Sequence, residues 1–169
     1  MKVWIIGATG YGGLELIRFL YNHKEVEKLE LFTSSEEGTI FSAKFPHLVH
    51  INDQPLQKID YDVLSTFDVV FASTPSGVSS NLFPPLVDRG PKLIDLSGDF
   101  RLKDLASYEQ WYKKTPAPKE AVDVSVYGLT EWNEAAIKDA KLIANPGCYP
   151  TAVLLSLLPL IKEKLIDPS

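Results

Sequence analysis

Cys148 is the only cysteine in the 169 residues, and it lies in the segment Asn-Pro-Gly-Cys-Tyr-Pro-Thr between two apolar runs. Pro150 suits the first turn of a helix, where its missing N–H costs nothing. We therefore predict that Cys148 lies at or just before a helix N-terminus, where the helix dipole stabilises a thiolate. A thiolate there is a candidate nucleophile. The alternative is a small buried residue, which many free cysteines are.

A glycine-rich loop follows the first apolar run and precedes residues at helical spacing. Gly7 can make a tight turn, Gly10 lets the backbone approach a pyrophosphate, and Gly13 lets helix and strand pack closely. The helix N-terminus adds free N–H groups and a positive dipole. A glycine-rich turn without a ligand is the alternative. The predicted cofactor loop is Gly7, Ala8, Thr9, Gly10, Tyr11, Gly12 and Gly13.

The end of the second predicted strand should meet the adenine ribose of a dinucleotide. It carries the hydroxyls of Ser34 and Ser35 rather than an acidic side chain. We therefore predict NADP, whose 2′-phosphate these hydroxyls can bind. Glu36 and Glu37 follow, and they could hold a ribose diol instead.

Apolar runs and helical spacings alternate along the chain, which indicates an α/β fold with a doubly wound, mostly parallel sheet. Segments 35–65 and 115–123 are too irregular for a prediction. The predicted strands cover residues 2–6, 29–33, 68–73, 92–96 and 141–145. Helices are predicted from residue 14 to about residue 23 and over 102–113 and 151–164, with interrupted helical stretches over 76–89.

Composition and charge exclude several classes of partner. The net charge of −5 argues against nucleic acid. The uncharged stretch 142–161 is long enough to span a membrane, but its prolines and glycine predict a strand, a turn and a core helix instead. His47 and His50 are three residues apart, which is too few ligands to predict a metal site. The single cysteine suits a reducing cytoplasm.

Five segments resemble those of the N-acetyl-gamma-glutamyl-phosphate reductases, in family order and across the whole chain. They are GATGYGGLEL from Gly7, FPHL from Phe45, DLSGDFRL from Asp95, VYGLTE from Val126 and NPGCYPT from Asn145. The related aspartate-semialdehyde dehydrogenases usually set their cysteine in an Asn-x-Cys-Thr context. They are the nearest competitor. The resemblance implies a Rossmann-type NADP-binding domain over 1–147. Residues 148–169 would be the cysteine helix and the start of an α+β substrate and dimerisation domain.

The resemblance also implies a reaction. Cys148 would attack an acyl phosphate, and NADPH would reduce the thioester to N-acetyl-glutamate semialdehyde, a step of arginine biosynthesis. Arg101 is the best candidate for binding the phosphate bidentately, unless it forms an ion pair with Asp99 or Asp104. Asn145 and the N–H groups around Gly147 and Cys148 would hold the oxyanion.

A second cofactor loop is implied at Ser73, Thr74, Pro75 and Ser76. Many members of the family have a histidine near Ser76, and this sequence departs from them there. The family's general acid/base histidine lies beyond the nucleophile, whereas all three histidines here precede it. We therefore expect an N-terminal fragment, inactive alone, of a protein that self-associates when full length and acts on a small-molecule acyl phosphate.

Two other functions are weighed against this one. A regulatory NADP-binding module without turnover would not need NPGC at a helix start. A short-chain dehydrogenase is excluded because no tyrosine has a lysine four residues on.

Overall fold

Six short strands form one sheet in which every neighbouring pair is parallel. The computed structural model describes residues 1–33 and 37–167. In chain order the strands are β1 (Lys2–Ile6), β2 (Lys28–Phe32), β3 (Val69–Ala72), β4 (Lys92–Asp95), β5 (Ser125–Tyr127) and β6 (Leu142–Ala144). Their order in the sheet is β2-β1-β3-β4-β6-β5.

Helices connect the strands and cover the sheet. They are α1 (Tyr11–Tyr21), α2 (Phe41–Lys44), α3 (Tyr61–Leu64), α4 (Ser79–Leu82), α5 (Leu105–Tyr112), α6 (Lys119–Val124), α7 (Thr130–Asp139) and α8 (Cys148–Lys162). Two 3-10 turns lie at Pro46–Leu48 and Pro84–Leu86.

Strand β1 is buried on both faces, as a central strand of a parallel sheet should be. Trp4 and Ile6 belong to one apolar cluster, which also contains Phe83 from beyond α4. Ile5 belongs to a second cluster, where it packs with Ile17 of α1. These two clusters on opposite faces confirm the predicted doubly wound α/β fold.

The predicted strands correspond to β1, β2, β3, β4 and β6, with ends that agree within about a residue. Strand β5 and helix α7 were not predicted. The helix predicted over 102–113 begins only at Leu105, because the Asp104 side chain caps it by accepting from the N–H of Ser107 at 2.9 Å. The helix predicted over 151–164 begins three residues earlier, at Cys148.

Two carboxylates are buried together where β4 ends. Asp95 and Asp99 are 0% and 1% exposed. The hydroxyl of Ser79 lies 2.7 Å from Asp95 Oδ1 and 2.9 Å from Asp99 Oδ2, and the Ser97 hydroxyl donates to Asp95. The phenol of Tyr108 donates to Asp99 Oδ1 at 2.7 Å. We refer to these five residues as the buried polar cluster. Because a buried charge is costly unless it is fully hydrogen-bonded, each donor here contributes to stability.

Removing one of these donors should therefore destabilise the fold. We expect Tyr108→Phe to lower the free energy of unfolding by about 1–3 kcal/mol, because a buried carboxylate oxygen loses a hydrogen bond. Urea denaturation measures it. The matched control is Tyr21→Phe at a half-exposed ring, which should change stability by less than about 0.5 kcal/mol. Equal stability of the two variants would contradict the role of the phenol.

Candidate active site

The loops that follow β1 and β3 pack tightly against each other, and glycines make this possible. Gly7 has a φ of +81°, and a Cβ there would lie 2.2 Å from the carbonyl oxygen of Ser73. A Cβ at Gly13 would lie 2.4 Å from the carbonyl oxygen of Gly7. By contrast, a Cβ at Gly10 would meet only that oxygen, at 3.6 Å. Gly7 and Gly13 therefore serve the packing, while Gly10 leaves an open side.

Helix α1 begins directly after this open side. Its N-cap is Gly10, in extended conformation, so no side chain caps the helix. The first N–H groups of a helix have no intrahelical partners, and together with the dipole they attract an anion. The Tyr11 ring is 93% exposed and leaves the approach open.

A cleft of about 440 Å³ lies where these two loops face the end of β2. Apolar side chains, including Phe32 and Ile59, line its walls. The predicted cofactor residues that line it are Gly7, Thr9, Gly10, Ser73, Thr74 and Pro75. Ala8 is buried beneath the loop, and Tyr11, Gly12 and Gly13 form the first turn of α1.

The remaining predicted cofactor residues differ in their placement. Ser34 and Ser35 lie outside the described residues, although Thr33, just before them, lines the cleft. Ser76 does not line the cleft, and its hydroxyl donates to the carbonyl of Ser97 at 3.3 Å. Thr74 Oγ1 is buried without a hydrogen-bond partner among the described residues. Since buried hydroxyls normally have a partner, a ligand in the cleft can supply one.

Cys148 is the first residue of α8, and its thiol is exposed. The N-cap is Gly147, in extended conformation, and its carbonyl accepts from the N–H and the hydroxyl of Thr151. The predicted position at a helix N-terminus is confirmed, and the alternative of a small buried residue is wrong. Parallel strands all end at one edge of a sheet, so the loop carrying Cys148 lies at the same edge as the cleft.

Arg101 joins the loops after β4 and β6. Its Nε donates to the carbonyl of Asn145 at 2.7 Å, and its Nη2 donates to the carbonyl of Leu96 at 2.9 Å. Its Nη1 lies against two glycines, 3.1 Å and 3.3 Å from where a Cβ would stand at Gly98 and Gly147. Arg101 is thus placed beside the residue that precedes Cys148.

This placement bears on two expectations about Arg101. The edge formed by Nε and Nη2 binds backbone carbonyls, so bidentate binding of phosphate would have to use the end formed by Nη1 and Nη2. The alternative of an ion pair is wrong. Asp99 belongs to the buried polar cluster and Asp104 caps α5, so each carboxylate binds other donors. The side-chain amide of Asn145 donates to the carbonyl of Pro146.

Two tyrosines that were not predicted as site residues lie near Arg101. The Tyr112 hydroxyl lies 2.7 Å from where a Cβ would stand at Gly98, and Arg101 Nη1 lies 3.1 Å from the same point. Tyr127 ends β5, and burial raises the pKa of its phenol, an effect that the charge of Arg101 opposes. The signal for Tyr127 was present in the VYGLTE segment. For Tyr112, the only indication in the sequence was that it lies four residues after Tyr108, which is buried.

Some kinds of site are absent from the described part of the chain. Within residues 1–33 and 37–167, no three His, Cys, Asp or Glu side chains gather where they could hold a metal ion. Over the same residues, none of the helices has the length and apolar character needed to cross a membrane.

Residues 2–140 match the model of the semialdehyde dehydrogenase NAD-binding domain. The chain belongs to this family. Its members bind a nicotinamide dinucleotide, which agrees with the glycine-lined cleft and the open N-terminus of α1.

Similar proteins extend this comparison. The chain is 55% identical over 167 residues to the N-acetyl-gamma-glutamyl-phosphate reductase of Geobacillus kaustophilus, covering 99% of this chain and 48% of that protein. It is 52% identical to the enzyme of that name from Bacillus subtilis, covering 100% of this chain and 49% of that protein. The chain therefore spans about half the length of these curated relatives.

Solved structures agree on the fold. The aspartate-semialdehyde dehydrogenase of Candida albicans with NADP has a TM-score of 0.62 at 20% identity, covering 96% of this chain and 47% of that one. Aspartate-semialdehyde dehydrogenase II of Vibrio cholerae has a TM-score of 0.63 at 21% identity, and the match covers 95% of this chain and 46% of that one.

The two kinds of glycine should respond differently to alanine. We expect Gly10→Ala to cost about 1 kcal/mol of stability or less, because alanine is a poorer N-cap than glycine, and to weaken dinucleotide binding about tenfold or more, because the added methyl group occupies the open side. Gly13→Ala should cost about 1–3 kcal/mol of stability, because its Cβ overlaps the backbone. Thermal unfolding measures the stability of each variant, and calorimetric titration measures its affinity for the dinucleotide. Tight dinucleotide binding by Gly10→Ala would contradict the assignment of the cleft.

Proposed function

We propose that this chain is the NADP-binding half of an N-acetyl-gamma-glutamyl-phosphate reductase, which reduces an acyl phosphate to N-acetyl-glutamate semialdehyde in arginine biosynthesis. The observation that carries the proposal is the exposed Cys148 at the N-terminus of α8, at the sheet edge that also holds the cleft. Relatives of that name at 50–55% identity over nearly the whole chain support it.

Cys148 acts as the nucleophile in this proposal. Its thiolate attacks the carbonyl carbon of the acyl phosphate, so that a carbon–sulfur bond forms. The bond between that carbon and the phosphate oxygen breaks, and inorganic phosphate leaves with the electron pair. A thioester on Cys148 remains. Covalent catalysis of this kind replaces one difficult displacement with two easier steps.

The residues of the cleft fit a dinucleotide. Gly10 and the first N–H groups of α1 hold the pyrophosphate, and Ser73 and Thr74 contact the portion beyond it. Ser34 and Ser35 bind the 2′-phosphate of the adenine ribose. When bound, NADPH would supply a hydride for the thioester carbon, and the carbon–sulfur bond would then break to release the aldehyde and restore the Cys148 thiolate. Strands β3 and β6 are two strand spacings apart, or about 10 Å, so a cofactor on the β3 loop can reach toward Cys148.

Arg101, Asn145 and Gly147 serve the charged groups of the reaction. Arg101 neutralises the phosphate through Nη1, the nitrogen nearest Gly147. The N–H groups at the start of α8, with Asn145 beside them, stabilise the oxyanion that forms on the attacked carbonyl. Ser76 supports the loop through its bond to Ser97 rather than contacting the cofactor.

We place the general acid of the reaction in the part of the curated relatives' length that this chain does not span. His47 packs edge-on against Phe45, and His23 accepts from the N–H of Glu25 just after α1. Both therefore serve local structure. General acid–base catalysis is typically worth about 10²–10⁴ in rate, so we expect this chain alone to lack turnover.

The second domain begins at Cys148 in this proposal. Every residue of α8 is at least partly exposed, and Val153 and Leu157 are 50% and 41% exposed. Exposed apolar side chains at this density fit a helix that packs on the substrate domain and on a second subunit. We place the complete, self-associating enzyme in the cytoplasm, because a reducing compartment preserves the thiol.

The role of Cys148 can be tested directly. In a full-length protein carrying this chain, Cys148→Ser should lower phosphate-dependent reduction of NADP by the semialdehyde about a thousandfold or more, because the hydroxyl is a far weaker nucleophile. The affinity for NADP, measured by fluorescence titration, should be nearly unchanged. Turnover at the wild-type rate in this variant would refute the mechanism.

The choice between NADP and NAD can be tested on this chain alone. We expect tighter binding of NADP than of NAD, and we expect Ser34→Asp to weaken NADP binding about tenfold through repulsion of the 2′-phosphate. Affinity for NAD should change little and serves as the internal control. Equal affinities for the two dinucleotides in the wild type, or an unchanged NADP affinity in Ser34→Asp, would show that these serines do not read the phosphate.

A further inference from the structure

Arg101 can offer only part of its guanidinium to a ligand. Nε and Nη2 are held by the carbonyls of Asn145 and Leu96, so Nη1 is the nitrogen that faces Gly98 and Gly147. A phosphoryl group presents three terminal oxygens in tetrahedral arrangement. The donors that remain on one guanidinium cannot satisfy every lone pair of these oxygens, so a phosphate at this position needs further donors.

One phenol hydroxyl is available for this purpose. The hydroxyl of Tyr112 and Arg101 Nη1 approach the same point, 2.7 Å and 3.1 Å from where a Cβ would stand at Gly98. Within residues 1–33 and 37–167 the Tyr112 hydroxyl has no hydrogen-bond partner, so it is free to donate to a ligand.

We propose that Tyr112 binds the phosphoryl group of the acyl phosphate, donating a hydrogen bond to an oxygen whose charge Arg101 neutralises. This inference rests on the proposed function and adds a residue that recognises the leaving group.

The position of Arg101 and Tyr112 decides which part of the substrate they meet. Arg101 Nη1 lies against Gly147, the residue immediately before the nucleophile. An anion bound there is therefore close to the carbon that Cys148 attacks. In an acyl phosphate the group attached to that carbon through oxygen is the phosphate, whereas a carboxylate at the far end of the substrate would lie several bonds away.

Packing places the phenol of Tyr112 before a ligand arrives. The ring of Tyr112 stacks on Tyr108 with centroids 4.7 Å apart and planes 10° apart, and Tyr108 is fixed by its bond to Asp99. Gly98, with a φ of +111°, allows the close approach of the Tyr112 hydroxyl. Such a preorganised donor loses little entropy on binding.

The single cysteine provides the test. Iodoacetamide should alkylate Cys148 of the 169-residue chain, and inorganic phosphate bound beside Gly147 should slow this reaction. In Tyr112→Phe, the phosphate concentration that gives half-protection should rise about three- to tenfold, because one hydrogen bond to the anion is lost. Tyr21→Phe, at the end of α1, is the matched control and should behave as the wild type. Circular dichroism checks the fold of each variant.

The outcomes separate this inference from its alternatives. Unchanged half-protection in Tyr112→Phe, or the absence of protection by phosphate in the wild type, would overturn it. Protection by acetate as strong as that by phosphate, with the same dependence on Tyr112, would assign Arg101 and Tyr112 to a carboxylate and would also overturn it. The assay involves neither dinucleotide nor turnover. A failure of the proposed reductase activity would therefore be seen separately, in the Cys148→Ser experiment.

Discussion

The carboxylates of Asp95 and Asp99 are the constraint on which the sheet edge depends. Both are removed from water, and an isolated buried carboxylate would cost several kcal/mol. Each is instead surrounded by donors from the backbone. The N–H groups of Gly98 and Asp99 point at Asp95, while those of Gly77 and Ser80 point at Asp99. Because these donors are backbone N–H groups, the two carboxylates fix the main-chain path of both the loop after β3 and the loop after β4.

This arrangement connects the cleft with the thiol. The loop after β3 lines the cleft, and the loop after β4 carries Arg101, which in turn holds the carbonyl of Asn145. From Asn145 the chain continues through Gly147 to the start of α8. The elements that would bind the dinucleotide and those that present Cys148 are therefore tied by hydrogen bonds between main chain and side chain, rather than by apolar contacts alone.

The parts that could be predicted from the sequence follow local rules. Gly7 and Gly13 lie between an apolar strand and a helix, and Pro150 signals the first turn of α8, so the loop and the position of Cys148 needed only neighbouring residues. The three residues of β5 are too few for a periodic signal, and the sheet edge that accepts them is not visible in the sequence.

The contacts of Arg101 and Tyr112 could not be predicted for a different reason. Both depend on how two loops meet in space. The edge of Arg101 that binds Asn145 is decided by the pairing of β4 with β6, which are separated by more than 40 residues. Tyr112 looks like any aromatic residue at the end of a helix until the left-handed turn at Gly98 brings the loop beneath it.

Helix α8 also has a mechanical consequence. It has 15 residues and is therefore about 22 Å long, with the reactive sulfur on its first residue. A hydrogen-bonded helix is stiff along its axis, and in α8 Pro159 interrupts the hydrogen bonds only near the C-terminal end. A small translation applied near Leu154, before that interruption, would move the sulfur by a comparable distance. Reacting atoms must approach to about 3 Å, and rates change steeply with displacements of 1 Å. The reach of the nucleophile can thus be adjusted from a surface that never touches the substrate.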